Sequence, residues 1–206
     1  MLRSARKAKP FARFLKDRQG ASMIELALAF PVFILMLIGV IELAMLMFIQ
    51  VAVEGGLRQA SRFGITGQTA GEGVTREQKI AEIVVNHAQN LVKIEPSDIE
   101  LLVYKDFSSV AQPEPYIDSD KNDGPEFKEG KDQFDPAVHD MNGNGVWDAD
   151  QGDTSQGAGG SGAIVLYRVT FDWEWLTPFF AAAVANEKVN LQAAIAVRNE
   201  PWPDNS

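Results

Sequence analysis

The 206-residue chain contains no cysteine. That excludes a disulfide framework, a thiolate zinc site, a cysteine nucleophile and an iron–sulfur cluster. Histidine is nearly as scarce, with only His87 and His139. No Gly-x-Ser-x-Gly elbow, phosphate-cradling loop or His-x-x-x-His pair occurs. The run QGAGG at 156–160 reads as a linker rather than a phosphate loop. His87 reads as a packed boundary residue and His139 as an exposed loop residue. No catalytic residue is assigned, and the chain is not expected to be an enzyme. Basic residues are also scarce once the first twenty positions are passed. Residues 1–20 hold seven basic residues and one acid, whereas the remaining 186 hold twelve basic and twenty-seven acidic residues. The net charge of −9 argues against a nucleic-acid partner, which would require a basic face.

What is abundant is apolar sequence immediately after the charge changes sign. Residues 21–53 read ASMIELALAFPVFILMLIGVIELAMLMFIQVAV. The uninterrupted core, 26–41, is about 24 Å long as a helix, and extension to residue 53 gives about 42 Å. A hydrocarbon layer of about 30 Å is therefore spanned. Basic flanks stay in the cytoplasm, so residues 1–20 are expected inside and the acidic bulk outside. A secretory signal peptide fits less well, because its apolar region is shorter and precedes a small-residue cleavage site. A plain signal anchor fits.

Three residues favour a further reading. Gly20 closes the basic leader, Ala21 opens the apolar helix, and Glu25 stands inside it. A carboxylate in hydrocarbon costs a few kcal/mol, so it needs a partner or a task. A glycine before a scissile bond lets backbone enter a tight active site. The pattern GASMIE followed by an apolar helix resembles the processing site of type IV prepilins and pseudopilins. The resemblance implies that a prepilin peptidase cuts after Gly20. It also implies that Glu25 pairs with the free amine of a neighbouring subunit's Ala21. Glu42 lies about 25 Å further along a helix, near the opposite membrane face, where it is either an interfacial acid or a paired one. Pro31 sits between them and is expected to kink the span.

The longer string from Arg18 to Gly67 resembles the TadE-like family, with its TadG-like relatives, the pseudopilins of the tight-adherence (Flp-type) pilus system. The matching features are Gly20 with Glu25, Pro31, the Ile41-Glu42-Leu43 step and Leu57-Arg58-Gln59-Ala60-Ser61-Arg62. The later strings Leu176-Thr177-Pro178-Phe179 and Arg198-Asn199-Glu200-Pro201 are also similar. Gly55-Gly56 departs from the helix-favouring residues expected there and argues against one helix running from the membrane to Arg62. The resemblance implies other pilins or pseudopilins, assembly-platform proteins and a prepilin peptidase as partners. It places the chain as a single-pass protein of a bacterial inner membrane, with its carboxy-terminal part periplasmic or extracellular, or in a pilus.

The remainder reads as α+β: a small antiparallel sheet of about three strands packed on helices, as in pseudopilins. The organisation is a leader at 1–20, a membrane helix at 21–53, a helical stalk and glycine-rich linker at 54–74, and an exported domain at 75–206. Thr75-Arg-Glu-Gln78 is a capping-box pattern. The helix after it places Ile80, Ile83, Val84, His87 and Leu91 on one face and ends before Pro96. Strands are expected at 99–105, 163–175 and 188–198. In the second, Val165, Tyr167, Val169, Phe171, Trp173 and Trp175 should cover the core while the alternate residues meet water. In the third, Val189, Leu191, Ala193, Ile195 and Val197 share a face. Residues 176–187 form a turn and a short apolar helix. Phe179 and Phe180 are expected either to tuck under the sheet or to form a partner patch.

Residues 106–161 form an insertion with thirteen acids and three lysines. Its composition favours disorder unless a ligand orders it. Within it, Asp140, Asn142, Asn144, Gly145 and Asp148 match the first half of an EF-hand-like calcium loop, with Val146 offering its carbonyl. The twelfth position is Gln151 rather than the bidentate glutamate; Asp150 or Asp153 could substitute, as could Asp135 or another acid of the insertion. Two readings stay open, weak calcium binding and a solvated acidic turn. Asp118-x-Asp120-x-Asn122 is a lesser candidate without the glycine.

Two functions follow. The first is a non-catalytic pseudopilin or minor pilin that assists pilus assembly after cleavage at Gly20. The second is a signal-anchored calcium-binding or adhesive module that never joins a filament.

Overall fold

A computed structural model describes residues 21–68, 70–88, 91–119, 127–184 and 188–202. The leader and Gly20 lie outside the described residues, as do Asp120 and Asn122. The apolar run forms helix α1 (Ala21–Ile65), which passes through Pro31. A helix satisfies its own backbone hydrogen bonds, which is what an apolar environment demands of a spanning segment. The chain divides into two compact units, residues 1–45 and 46–206.

In the first unit α1 presents large apolar side chains almost without interruption. Met23, Leu26, Leu28, Val32 and Met36 are each more than 60% exposed.

In the second unit the rest of α1 behaves in the opposite way. Ile49, Val53, Leu57 and Ala60 recur at spacings of four, four and three, and each is at most 1% exposed. Full burial of such a side chain is worth about 1.5–3 kcal/mol, so this stripe anchors the unit. The helix continues through Gly55-Gly56, contrary to the break expected there. Gly56 has a packing reason to be glycine. A Cβ there would lie 2.8 Å from His87 Cβ and 3.3 Å from Val84 Cα. The missing side chain lets helix α2 (Arg76–His87) approach, and tertiary packing offsets the poor helix propensity. The capping box forms as the sequence requires: Thr75 Oγ1 accepts from Gln78 N–H, and Gln78 Oε1 accepts from Thr75 N–H. Ile80, Ala81 and Val84 are buried. α2 ends at His87, before Leu91, which is 40% exposed rather than on its apolar face.

A short 3-10 turn (Pro96–Asp98) leads into β1 (Ile99–Tyr104). Two longer strands follow, β2 (Ile164–Glu174) and β3 (Lys188–Arg198). The sheet is antiparallel in the order β1-β2-β3. Its register pairs Ile99 with Val169 and Glu174 with Lys188. Val165, Tyr167, Val169, Phe171 and Trp173 are buried on one face. Tyr167 on that face reaches α1 at Gly64, where a Cβ would collide with its hydroxyl. The alternate face was expected in water, but at the start of β2 it is buried too. Ile164 and Leu166 join Leu102 and Tyr104 in a second core, with Val110 and Ala196 packed against it. The insertion between β1 and β2 supplies the cover. Gly152 sits so close that a Cβ would approach Leu102 and Tyr104 within 2.8 Å.

Helix α3 (Pro136–His139) lies within the insertion, and α4 (Pro178–Val184) joins β2 to β3. Phe179 and Phe180 differ in their surroundings. Phe179 is 54% exposed, whereas the ring of Phe180 lies 4.9 Å from that of Trp175.

Candidate functional site

Two features bear on function, the exposed apolar part of α1 and the folded insertion. In the first unit Glu25 and Pro31 are exposed, but Glu42 is fully buried between exposed Ile41 and Leu43. The two acids of one apolar helix thus stand in opposite surroundings, and Glu42 is not without a partner. A bare helix surface of this size and composition is what lipid or neighbouring apolar helices cover.

The insertion is built around Glu114, which is 1% exposed. Its Oε1 accepts from the Met141 and Asn142 N–H groups at 2.7 and 3.3 Å, and its Oε2 from Asp148 N–H at 3.1 Å. The Glu114 carbonyl accepts from the Trp147 indole at 2.9 Å, and its N–H donates to the Asp148 carbonyl at 2.9 Å. One buried carboxylate thereby closes both ends of the 140–148 loop. Such a group is tolerated because every donor aimed at it is a hydrogen bond it needs. Beside it, the Trp147 ring stacks on Phe127 with centroids 4.7 Å apart, and Tyr116 meets both rings edge-on. This aromatic cluster gives the acidic segment a small core of its own.

The calcium-loop residues divide. Asp140 accepts from Gly143 and Gly145 N–H, at 2.5 and 2.7 Å. Asn142 and Asn144 both donate side-chain amides to Asp148 Oδ2, at 2.9 and 2.5 Å. Gly143 and Gly145 adopt positive φ, 82° and 85°, which permits the tight winding. Asp140, Asn142, Asn144 and Asp148 are therefore brought into one turn. Asp150 and Asp153 are committed elsewhere. Asp150 accepts from the Tyr104 hydroxyl at 2.7 Å and pairs with Arg168 at 2.8 Å. Asp153 pairs with Val103 through the backbone and accepts from Ser155 and Gln156. Val146 donates its N–H to Asn144 Oδ1. Among the described residues no group of three or more histidine, aspartate and glutamate side chains is placed to hold a metal ion.

A hydrogen bond from Tyr104 and an ion pair with Arg168 tie Asp150, and with it the insertion, to the sheet. Burial, helped by the Asp150 carboxylate, pushes the Tyr104 hydroxyl well above its usual range. Burial alone would lower the Arg168 pKa, but hydrogen bonds and charge from Glu100 and Asp150 outweigh it and push it up. The far end of the insertion is tied to α2. Arg76 donates to the Ala158 and Gly159 carbonyls, at 2.6 and 2.5 Å, and stacks over Trp202. Glu77 accepts from Ala158 N–H. Burial opposes ionisation of Glu77, but hydrogen bonds from the Glu77 and Ala158 N–H groups and Thr75, with the Arg76 charge, carry its pKa below the usual range. Buried Asn199 donates to the Ala158 and Gly160 carbonyls, and Glu200 N–H donates to the Ile65 carbonyl at the end of α1. The closing string Arg198-Asn199-Glu200 therefore holds together the insertion and α1.

Sequence reasoning missed Glu114, Arg76 and Asn199 as organising residues. Asn199 lay within a string already recognised by resemblance. Glu114 carried no local signature, because its partners stand 27–34 positions away.

The segment Ser22–Ile65 is long and apolar enough to cross a membrane, and by length and composition it defines a candidate membrane-anchored protein. The family model described as TadE-like protein matches residues 20–62, the segment that carries the resemblance. The match points to a pilin-like protein associated with a tight-adherence pilus. No curated protein and no solved structure matches the chain.

Proposed function

We propose that this chain is a non-catalytic pseudopilin or minor pilin of a tight-adherence pilus, inserted in the inner membrane with residues 1–20 cytoplasmic and the α+β unit outside. A prepilin peptidase removes the leader after Gly20, and the apolar part of α1 exchanges lipid for neighbouring pilin helices during assembly. The observation that carries this reading is the uncovered apolar surface of α1 inside the segment matching the TadE-like model. Glu25 is the residue expected to pair with a neighbour's Ala21 amine, since a carboxylate on such a helix needs a partner. The test is pilus yield in a strain carrying Glu25→Ala or Gly20→Ala. Piliation should fall at least tenfold in each, and wild-type pili in both would remove the proposal in favour of a signal-anchored module.

Calcium belongs to the proposal as a second element, supported by the presence of Asp140, Asn142, Asn144 and Asp148 in one turn. Affinity would be in the weak extracellular range, about 10⁻⁴–10⁻³ M. Millimolar calcium should raise the melting temperature in wild type but not in Asp140→Ala, and an unchanged wild-type melt would remove calcium from the account.

A further inference from the structure

β2 is longer than β1. β1 begins at Ile99, opposite Val169, so residues 170–174 extend past its end. Alternation shows which backbone groups are left open. Val103 exchanges both backbone hydrogen bonds with Asp153, on the side away from β2. Glu100, Leu102 and Tyr104 therefore bond to β2, opposite Arg168, Leu166 and Ile164. On the same side of β2 the series continues through Thr170 to Asp172 and Glu174. Among the described residues neither has a backbone partner there. A groove of about 840 Å³ is lined by this end of β2 together with residues including Leu91, Lys93 and Asp98 of the segment before β1 and Lys188 and Asn190 of β3. An open strand edge beside a groove is a template for an added strand.

The charge selects the occupant. The lining holds four acids, Asp98, Glu100, Asp172 and Glu174, against Lys93 and Lys188. Lys93 is already paired with Glu95 at 2.7 Å, Lys188 with Glu174 at 2.9 Å, and Glu100 with Arg168 at 2.7 Å, so Asp98 and Asp172 are the lining acids that no ion pair among the described residues engages. A second copy of this edge is a poor occupant. Antiparallel self-pairing about Asp172 sets that carboxylate directly against itself, and like charges directly opposite destabilise a sheet. We infer that the groove beside the free edge of β2 receives an extended basic segment of a partner protein, which adds as a strand with lysine or arginine opposite Asp172 and Glu174. This goes beyond the pilus reading and does not depend on it.

The test uses the full chain in non-ionic detergent and heptapeptides that alternate valine with lysine. Residues opposite Asp172 share its hydrogen-bonding side, so the peptide's lysine amides face β2 and its valine amides face water. The lysine peptide should bind saturably below millimolar concentration and slow amide exchange at Asp172 and Glu174. Backbone N-methylation of its lysines should weaken binding at least tenfold, whereas N-methylation of its valines should change it less than about threefold. A valine–glutamate peptide should not bind, and Asp172→Lys should cost the lysine peptide at least tenfold. Equal binding of the parent and the lysine-methylated peptide by the unmodified protein would overturn strand addition, and so would the absence of saturable binding.

Discussion

The segment at 20–62 and the insertion at 106–161 reach order by opposite routes. The first is a single helix whose partners repeat every three or four residues, so its apolar stripe from Ile49 to Ala60 can be read along the chain. The insertion has little periodicity. It is held by Glu114 bonding across some thirty residues, by the Trp147 cluster, and by Arg168, Arg76 and Asn199 reaching in from other elements. Acidity in a loop therefore did not mean a solvated loop. A charge-rich segment can fold where one buried carboxylate collects backbone donors and a few aromatics exclude water.

That contrast can be broken, and the largest effect is expected at Glu114. Glu114→Ala leaves three backbone N–H groups of the 140–148 loop without an acceptor, a loss of about 3 kcal/mol or more. Limited proteolysis should then cut within 106–161 while α1 and the sheet stay intact. Cleavage distributed evenly over the whole chain would show that the insertion is not a separately organised region.

The next effects lie in α1 and have opposite signs at adjacent residues. Gly56→Ala crowds His87 and Val84 and should destabilise by about 1–3 kcal/mol. At Gly55 nothing lies within 4 Å of an added Cβ, so Gly55→Ala should stabilise by about 0.5–1 kcal/mol. Melting temperatures in detergent decide the pair. Equal shifts would mean that the two glycines do not differ in packing.

The smallest effect is a pH dependence. Glu77 has a lowered folded pKa, so its contribution is present above the ordinary glutamate value near 4.5 and is lost as pH falls through the folded value. Glu77→Gln should therefore flatten the acid limb of the stability curve slightly, read as melting temperature between about pH 3 and 5. An acid limb unchanged from wild type would show that the contact between Glu77 and Ala158 does not report on docking of the insertion.

Much of this was legible in the sequence. The capping box at Thr75, the boundaries of all three strands to within a residue and the long apolar helix follow from local patterns. The double glycine misled because propensity is local, whereas the approach of α2 that requires Gly56 is not. The second face of β2 misled for a related reason. Ile164 and Leu166 carry no mark of the insertion that covers them. In the calcium-like loop, Asp140, Asn142, Asn144 and Asp148 lie in one turn, held by local hydrogen bonds. The positions of Asp150 and Asp153 were set instead by Tyr104, Arg168 and Val103 on the sheet.

In the proposed role α1 is the retained amino terminus of a processed pilin-like protein. Amino-terminal sequencing of the membrane-bound form tests it most directly. A terminus reading Ala21-Ser22-Met23 is expected, and an intact terminus at Met1 would rule out processing after Gly20.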